Sequence, residues 1–165
     1  MVVKSGWQGR FYEDFEVGDV YKHPLGRTIT ETDNIWFTLL TMNTNPMHFD
    51  REYAKKSQFK RCLINSGLTL AIVLGLSVGD LTQNAVANLG WDEVRLPNPL
   101  FDGDTLYAES EVLSKRESKS HPEAGIVTVK TRGRNQNGQT VIEYKRTFMV
   151  YKQADSPYVR TTGKR

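Results

Sequence analysis

Residues 66–81 read SGLTLAIVLGLSVGDL, and the reading of this stretch, Ser66–Leu81, decides the fold. It is apolar on nearly every side, with only small polar interruptions. A helix that is hydrophobic all round has to be enclosed by the rest of its domain. Gly67, Gly75 and Gly79 weaken such a helix in isolation, but they let neighbouring backbone come close. Downstream the pattern changes to strands. Ala85–Leu96 is one strand region, broken by Pro97-Asn98-Pro99, and Phe101–Asp104 is a turn. Leu106–Leu113 alternates roughly, a polar loop lies between Lys115 and Gly125, and Ile126–Arg132 and Val141–Tyr151 are long, β-branched and aromatic. Asn135–Gly138 joins the last two as a hairpin turn. One enclosed helix followed by three or four long antiparallel strands implies an α+β domain in which a curved sheet wraps the helix. Such a sheet leaves an edge strand unpaired, and pairing two copies edge to edge protects it.

Upstream, residues 1–10 read as an arm and residues 11–152 as the domain, with residues 153–165 a loose tail. Val20–Leu25 suits a short strand. Thr30 and Asp33 have the spacing of a capping box. Ile35, Trp36, Leu39, Leu40 and Met42 follow at helical spacing, which predicts a helix over 31–41. Asn43-Thr44-Asn45-Pro46 ends it, because a residue before proline is pushed out of the helical region. Asp50 is placed to cap a second short helix through Lys56.

The 165 residues suit one domain, and with 38 % hydrophobic and 25 % charged residues neither disorder nor a membrane protein is favoured. The net charge is +3 and the pI near 9, but no Lys/Arg run is interleaved with aromatics, so no nucleic-acid partner is expected. A basic balance also suits a ligand carrying several phosphates. Cys62 is the one cysteine, which excludes an intrachain disulfide and suits a reducing, cytoplasmic setting. It reads as a small buried hydrophobe rather than a nucleophile. The apolar stretch 63–81 is interrupted by five polar residues, so no membrane span is expected. Three histidines and one cysteine show no metal-ligand spacing, so neither a metal nor a cofactor is expected. His23 and His121 read as solvated surface.

The segment Asn43–Asp50 (NTNPMHFD) is dense in polar groups fixed by a proline. Asn45-Pro46-Met47-His48-Phe49-Asp50, then Phe59-Lys60-Arg61, then the 66–81 helix, then Pro99–Asp104 with its Gly-Asp, together resemble the MaoC-like, R-specific enoyl-CoA hydratases. The resemblance covers residues 15–151. It implies a hot-dog fold, a homodimer or higher even oligomer with sites near the interface, and an acyl-CoA substrate. It also implies a His and an Asp that hold the water added to a trans-2-enoyl thioester. The His is His48. At the position of the family's Asp stands Asn43, and a carboxamide can orient water but cannot be a general base. The resemblance therefore leaves proton transfer to His48, with Asn43 and Asn45 as positioning groups.

A second departure is Asn65-Ser66-Gly67, where the family usually has His-Gly. The helix start supplies a backbone N–H to the thioester carbonyl in the family, which nominates Gly67, with Ser66 second. The wording of 38–50, of Asn65-Ser66 and of 88–95 is similar to a branch handling short branched or dicarboxylic acyl groups, such as mesaconyl-CoA and methylmalyl-CoA. A distal carboxylate would need a cation, for which Arg61 and Arg95 are the candidates. Each residue also has a plainer reading: His48 bonding a carbonyl, Asn43 ending a helix, Asp50 capping one, Arg61 and Arg95 solvated or salt-bridged. A hot-dog thioesterase and a non-catalytic acyl-CoA-binding protein remain as alternatives. The first is disfavoured because 66–79 contains no carboxylate.

Overall fold

The computed structural model describes residues 6–157. Six strands form one antiparallel sheet: β1 (Val20–Lys22), β2 (Arg27–Thr28), β3 (Ala85–Arg95), β4 (Thr105–Glu117), β5 (Ala124–Arg134) and β6 (Thr140–Tyr151). The spatial order is β1-β4-β5-β6-β3, with β2 beside β4. The three long central strands alternate buried and partly buried residues, as a sheet with one covered face requires. The 135–138 hairpin turn joins β5 to β6, with Gly138 at φ +76°.

Against the inner face lies α3 (Ser66–Ser77), continued by a π-helical turn over Val78–Thr82. Leu68, Thr69, Val73, Ser77 and Leu81 point into the domain. Val73 seats where Gly133 has no side chain: a Cβ there would stand 2.6 Å from a Val73 methyl. The all-round enclosure expected of this helix is not met within the chain. Gly67, Ala71, Gly75 and Gly79, each four residues from the next, form an exposed stripe.

Two apolar clusters fill the core. One gathers Ile29, Leu68, Val73, Leu106, Ile142 and Tyr144 under the first half of α3. The other gathers Phe15, Leu81, Val112, Val127, Phe148 and Val150 under its far end. Between them runs a polar belt. His23 is buried, not solvated as its setting suggested: Nδ1 lies 2.9 Å from Asp80 and Nε2 3.0 Å from Ser110, whose hydroxyl lies 2.8 Å from Thr131. Arg146 on β6 is also buried, donating to Asn88 at 2.6 Å and Thr82 at 3.4 Å, beside the electronegative end of the π-helical turn. Desolvation pulls its pKa below the usual arginine value. His121 is half-exposed beside Glu123, as expected.

α1 (Glu31–Leu40) begins with the expected capping box of Thr30 and Asp33. The helix forms, but the apolar residues that reveal it are not its buried face. Asn34 and Thr38 are buried, while Trp36, Leu39, Leu40 and Met42 are exposed, Met42 by 87 %. α1 ends in a Schellman motif, Asn43 N–H donating to Thr38 and Met42 N–H to Leu39. That motif puts Met42 in the left-handed region at φ +57°, where glycine is the usual occupant. α2 (Arg51–Ala54) is shorter than expected, though Asp50 caps it through Tyr53 N–H.

Both ends of the described chain are docked. Trp7 donates to Gly79 O, Asn84 to Gln8 O and Arg10 O, and Arg10 reaches Asp80. At the other end Gln153 N–H donates to Glu13, and Ser156 is buried, so the part of the expected loose tail nearest the domain packs on it. The remainder of the expected arm and tail, residues 1–5 and 158–165, lies outside the described residues.

Candidate active site

The site grows from one buried carboxamide that the sequence reading passed over. Asn34, on the inner face of α1, donates through Nδ2 to His48 O at 2.7 Å and to Leu63 O at 3.1 Å. Its Oδ1 accepts Asn65 N–H at 2.8 Å. Three separate segments are thereby tied to one side chain: the turn Pro46–His48, the run 62–64, and the residue that caps α3. The signal was the pair Asn34 and Thr38, polar residues four apart opposite Trp36 and Leu40, which marks a polar helix face. It was masked by the apolar run around it.

His48 is 9 % exposed, and its Nδ1 lies 2.8 Å from Leu63 O. A carbonyl can only accept, so Nδ1 carries the proton, and in the neutral ring Nε2 holds the lone pair. No described residue bonds Nε2. The orientation needed of a base is therefore set by backbone, without a carboxylate.

The two asparagines flanking it shape the loop. Asn43 Oδ1 accepts Asn45 N–H at 3.0 Å, and Asn45 Oδ1 accepts Met47 N–H at 3.1 Å. Both are turns in which a short side chain replaces a backbone acceptor. Asn65 caps α3: its Oδ1 accepts Gly67 N–H at 2.9 Å while its Nδ2 reaches Thr38 at 3.2 Å. The N–H nominated as oxyanion donor is thus occupied by the helix's own cap. Beside it, neither the N–H nor the hydroxyl of Ser66 has a partner among the described residues. A Cβ at Gly67 would meet the Phe37 ring at 3.1 Å, so glycine keeps this helix start close to α1.

A cavity of about 270 Å³ opens at the same helix start, lined by Phe59, Leu63, Ser66, Thr69, Pro97 and Val141 among others. No Lys or Arg lines it. Arg61 faces away, donating to Asp102 O and Oδ1 at 2.9 and 2.8 Å with its guanidinium over Phe101. Arg95 is exposed at the end of β3, opposite Glu143. Neither is brought to His48. Burial, and then the nearby Glu31 and Asp102 carboxylates, push the Cys62 thiol above its usual pKa, which suits an inert side chain.

The sequence model of the mesaconyl-CoA hydratase family matches residues 3–163. The chain belongs to this family. Over 145 residues it is 36 % identical to the mesaconyl-CoA hydratase of Cereibacter sphaeroides, covering 88 % of this chain and 42 % of that one. A MaoC domain dehydratase of Chloroflexus aurantiacus superposes with a TM-score of 0.86 at 35 % identity, over 92 % of this chain and 43 % of the other. A Mycobacterium tuberculosis protein with a double hot-dog fold gives 0.81 at 22 % identity, over 90 % of this chain and 46 % of that chain. The present chain thus spans less than half the length of these relatives and supplies one hot-dog unit, the α+β fold expected from residues 66–151. Family and fold agree with the sequence reading; the site residues rest on the geometry above.

Proposed function

We propose that this chain reversibly hydrates a trans-2-enoyl-CoA thioester, with His48 as its acid and base, in a homodimer. One observation carries the reading: Leu63 O holds the His48 ring so that Nε2 is left a free acceptor, on a turn that Asn34 ties to the start of α3. Water held at Nε2 loses a proton to it as its oxygen adds to C3. Electron density moves onto the thioester oxygen, and the proton returns to C2. Ser66, through its N–H and hydroxyl, meets the developing charge, because Gly67 N–H is engaged by Asn65. Asn43 and Asn45 act by holding the loop, with the Asn43 amide nitrogen left to face a ligand.

The dimer is supported by the exposed edge of β3, with Leu89, Trp91 and Val94 on it, and by the exposed stripe of α3. The family and the relatives' names favour a short branched or dicarboxylic acyl group. In this reading a cation for a distal carboxylate comes from the second copy, since none lines the cavity of this chain. The lone buried thiol favours a cytoplasmic setting; among the described residues no helix is long and apolar enough to cross a membrane. No cofactor enters the proposed reaction.

A second reading, acyl-CoA binding without turnover, is favoured by the engagement of Asn43 Oδ1 with the loop rather than with a ligand. Incubation with mesaconyl-CoA and other enoyl-CoAs separates the readings. Loss of the conjugated-thioester absorbance without free thiol supports hydration, and thiol release means a thioesterase. Binding alone, with activity appearing in Asn43→Asp, means a silenced site.

A further inference from the structure

On the opposite side of the segment 59–64 from the first cavity lies a second one, of about 250 Å³, with a different chemistry. Phe59, Leu63 and Ile64 line the first, whereas Lys60, Arg61 and Cys62 line the second. Four cations converge on this second cavity, Arg51, Lys55, Lys60 and Arg61, against the two carboxylates Glu31 and Asp102. Both carboxylates are already engaged. Glu31 takes the guanidinium of Arg51 side-on, and Asp102 takes that of Arg61. Each of these guanidinium groups is seated at the wall by two contacts. Lys55 is tied only to Glu52, which is outside the cavity, by a well-exposed pair of the kind that yields easily. The Lys60 ammonium has no hydrogen bond or ion pair among the described residues, although its backbone N–H donates to Ser57 O. Its backbone is held at φ +59°, a region non-glycine residues rarely adopt and one that marks functional segments when the surroundings enforce it.

We propose that this cavity is the subsite for the phosphates of the coenzyme A nucleotide, with Lys60 and Lys55 as its free cations and Arg51 and Arg61 as its fixed wall. The assignment rests on the reading of the substrate as a CoA thioester. It explains why one short segment shows an apolar face to one cavity and a cationic face to the other: the ligand has a neutral arm ending in the thioester and a polyanionic end. From Cys62, on the cationic wall, to Ser66 is four residues, at most about 14 Å of extended chain. The two cavities are therefore near enough for a single ligand to occupy both. A point-like ammonium on a flexible stem suits a phosphate that arrives, and a guanidinium already bound to a carboxylate suits a wall that stays.

Calorimetric titration of the full chain with adenosine 3′,5′-bisphosphate, at low salt, tests this. Binding should occur, weaken with salt, fall roughly tenfold in Lys60→Asn and further in Lys60→Glu or Lys55→Glu, and stay unchanged in Lys22→Glu. Asn tolerates the left-handed backbone, so Lys60→Asn should fold normally. Inorganic pyrophosphate should bind at least tenfold more weakly than the nucleotide. Absence of nucleotide binding, binding indifferent to Lys60 and Lys55, or equal binding of pyrophosphate each overturns the assignment. If the bisphosphate binds as expected but no enoyl-CoA is hydrated, the hydratase reading falls and this subsite stands.

Discussion

Two histidines lie buried in this chain, and they are tethered in opposite ways. His23 has both ring nitrogens within hydrogen-bond distance of side chains, Asp80 on one side and Ser110 on the other. His48 has one nitrogen on a backbone carbonyl and the other without a partner among the described residues. A ring satisfied at both ends contributes to stability and has nothing left to offer a substrate. A ring satisfied at one end is oriented and still able to take a proton. Backbone strain follows the same division. Of the three non-glycine residues with positive φ among the described residues, Met42 and Lys60 flank the His48 loop and none borders His23.

The sharpest way to break the contrast is at His48. His48→Gln keeps a side chain of similar reach but no base, and turnover should fall by ~10²- to 10⁴-fold, with the melting temperature close to wild type. Turnover within a few-fold of wild type would remove the catalytic assignment.

Asn34→Ala comes next. It leaves His48 O and Asn65 N–H unpaired in a buried place, while Leu63 O keeps His48 Nδ1, and should cost about 2–3 kcal/mol of stability. Unlike any substitution around His23, it should also lower turnover, because His48 and the start of α3 lose their common anchor. Denaturant unfolding read beside the hydration rate checks both. A stability loss with unchanged turnover would mean that the loop holds itself.

His23→Ala is the complementary case. Ser110 keeps Thr131 and Asp80 keeps Arg10, so the loss should be about 1–2 kcal/mol, which for a chain of this size is several degrees of melting temperature. Turnover at a temperature where the variant is folded should match wild type. A selective fall in turnover would give the polar belt a part in the reaction.

The same contrast separates what was legible in the sequence from what was not. The helix 66–81 follows from its nearly continuous apolar run and the strands after it from their alternation, both of which are local patterns. The motif at 43–50 marked the turn around Pro46 on which His48 lies. What stayed hidden depends on contacts far apart in the chain. Asn34 reaches residues 14 and 29 positions away. His23, at a strand end among polar neighbours, is buried only because Asp80 and Ser110 come to it from 57 and 87 residues on. α1 misleads most, because its apolar residues do form a helical pattern, yet within this chain that face is uncovered. Gly67 as oxyanion donor was nominated from helix-terminus physics that is sound in general. Here Asn65 caps the terminus first.

The smallest expected effect lies at the strained turn that leads into the His48 loop. Met42 occupies a left-handed position that costs a side-chain-bearing residue about 1 kcal/mol or more, while glycine adopts it freely. Its side chain is 87 % exposed, so truncation removes no packing within the chain. Glycine loses more freedom on folding, which offsets part of the gain. Met42→Gly should therefore stabilise the protein by about 0.5 kcal/mol, read as a small rise in the denaturant midpoint at unchanged slope. Asn43 follows directly, and its Oδ1 sets the loop through Asn45 N–H. If the strain serves to hold that geometry, the relaxed variant should gain stability and lose some turnover together. Gain with unchanged turnover would make Met42 a plain helix end. A loss of stability would mean instead that the exposed methionine, and with it the apolar face of α1, is covered in the assembled protein.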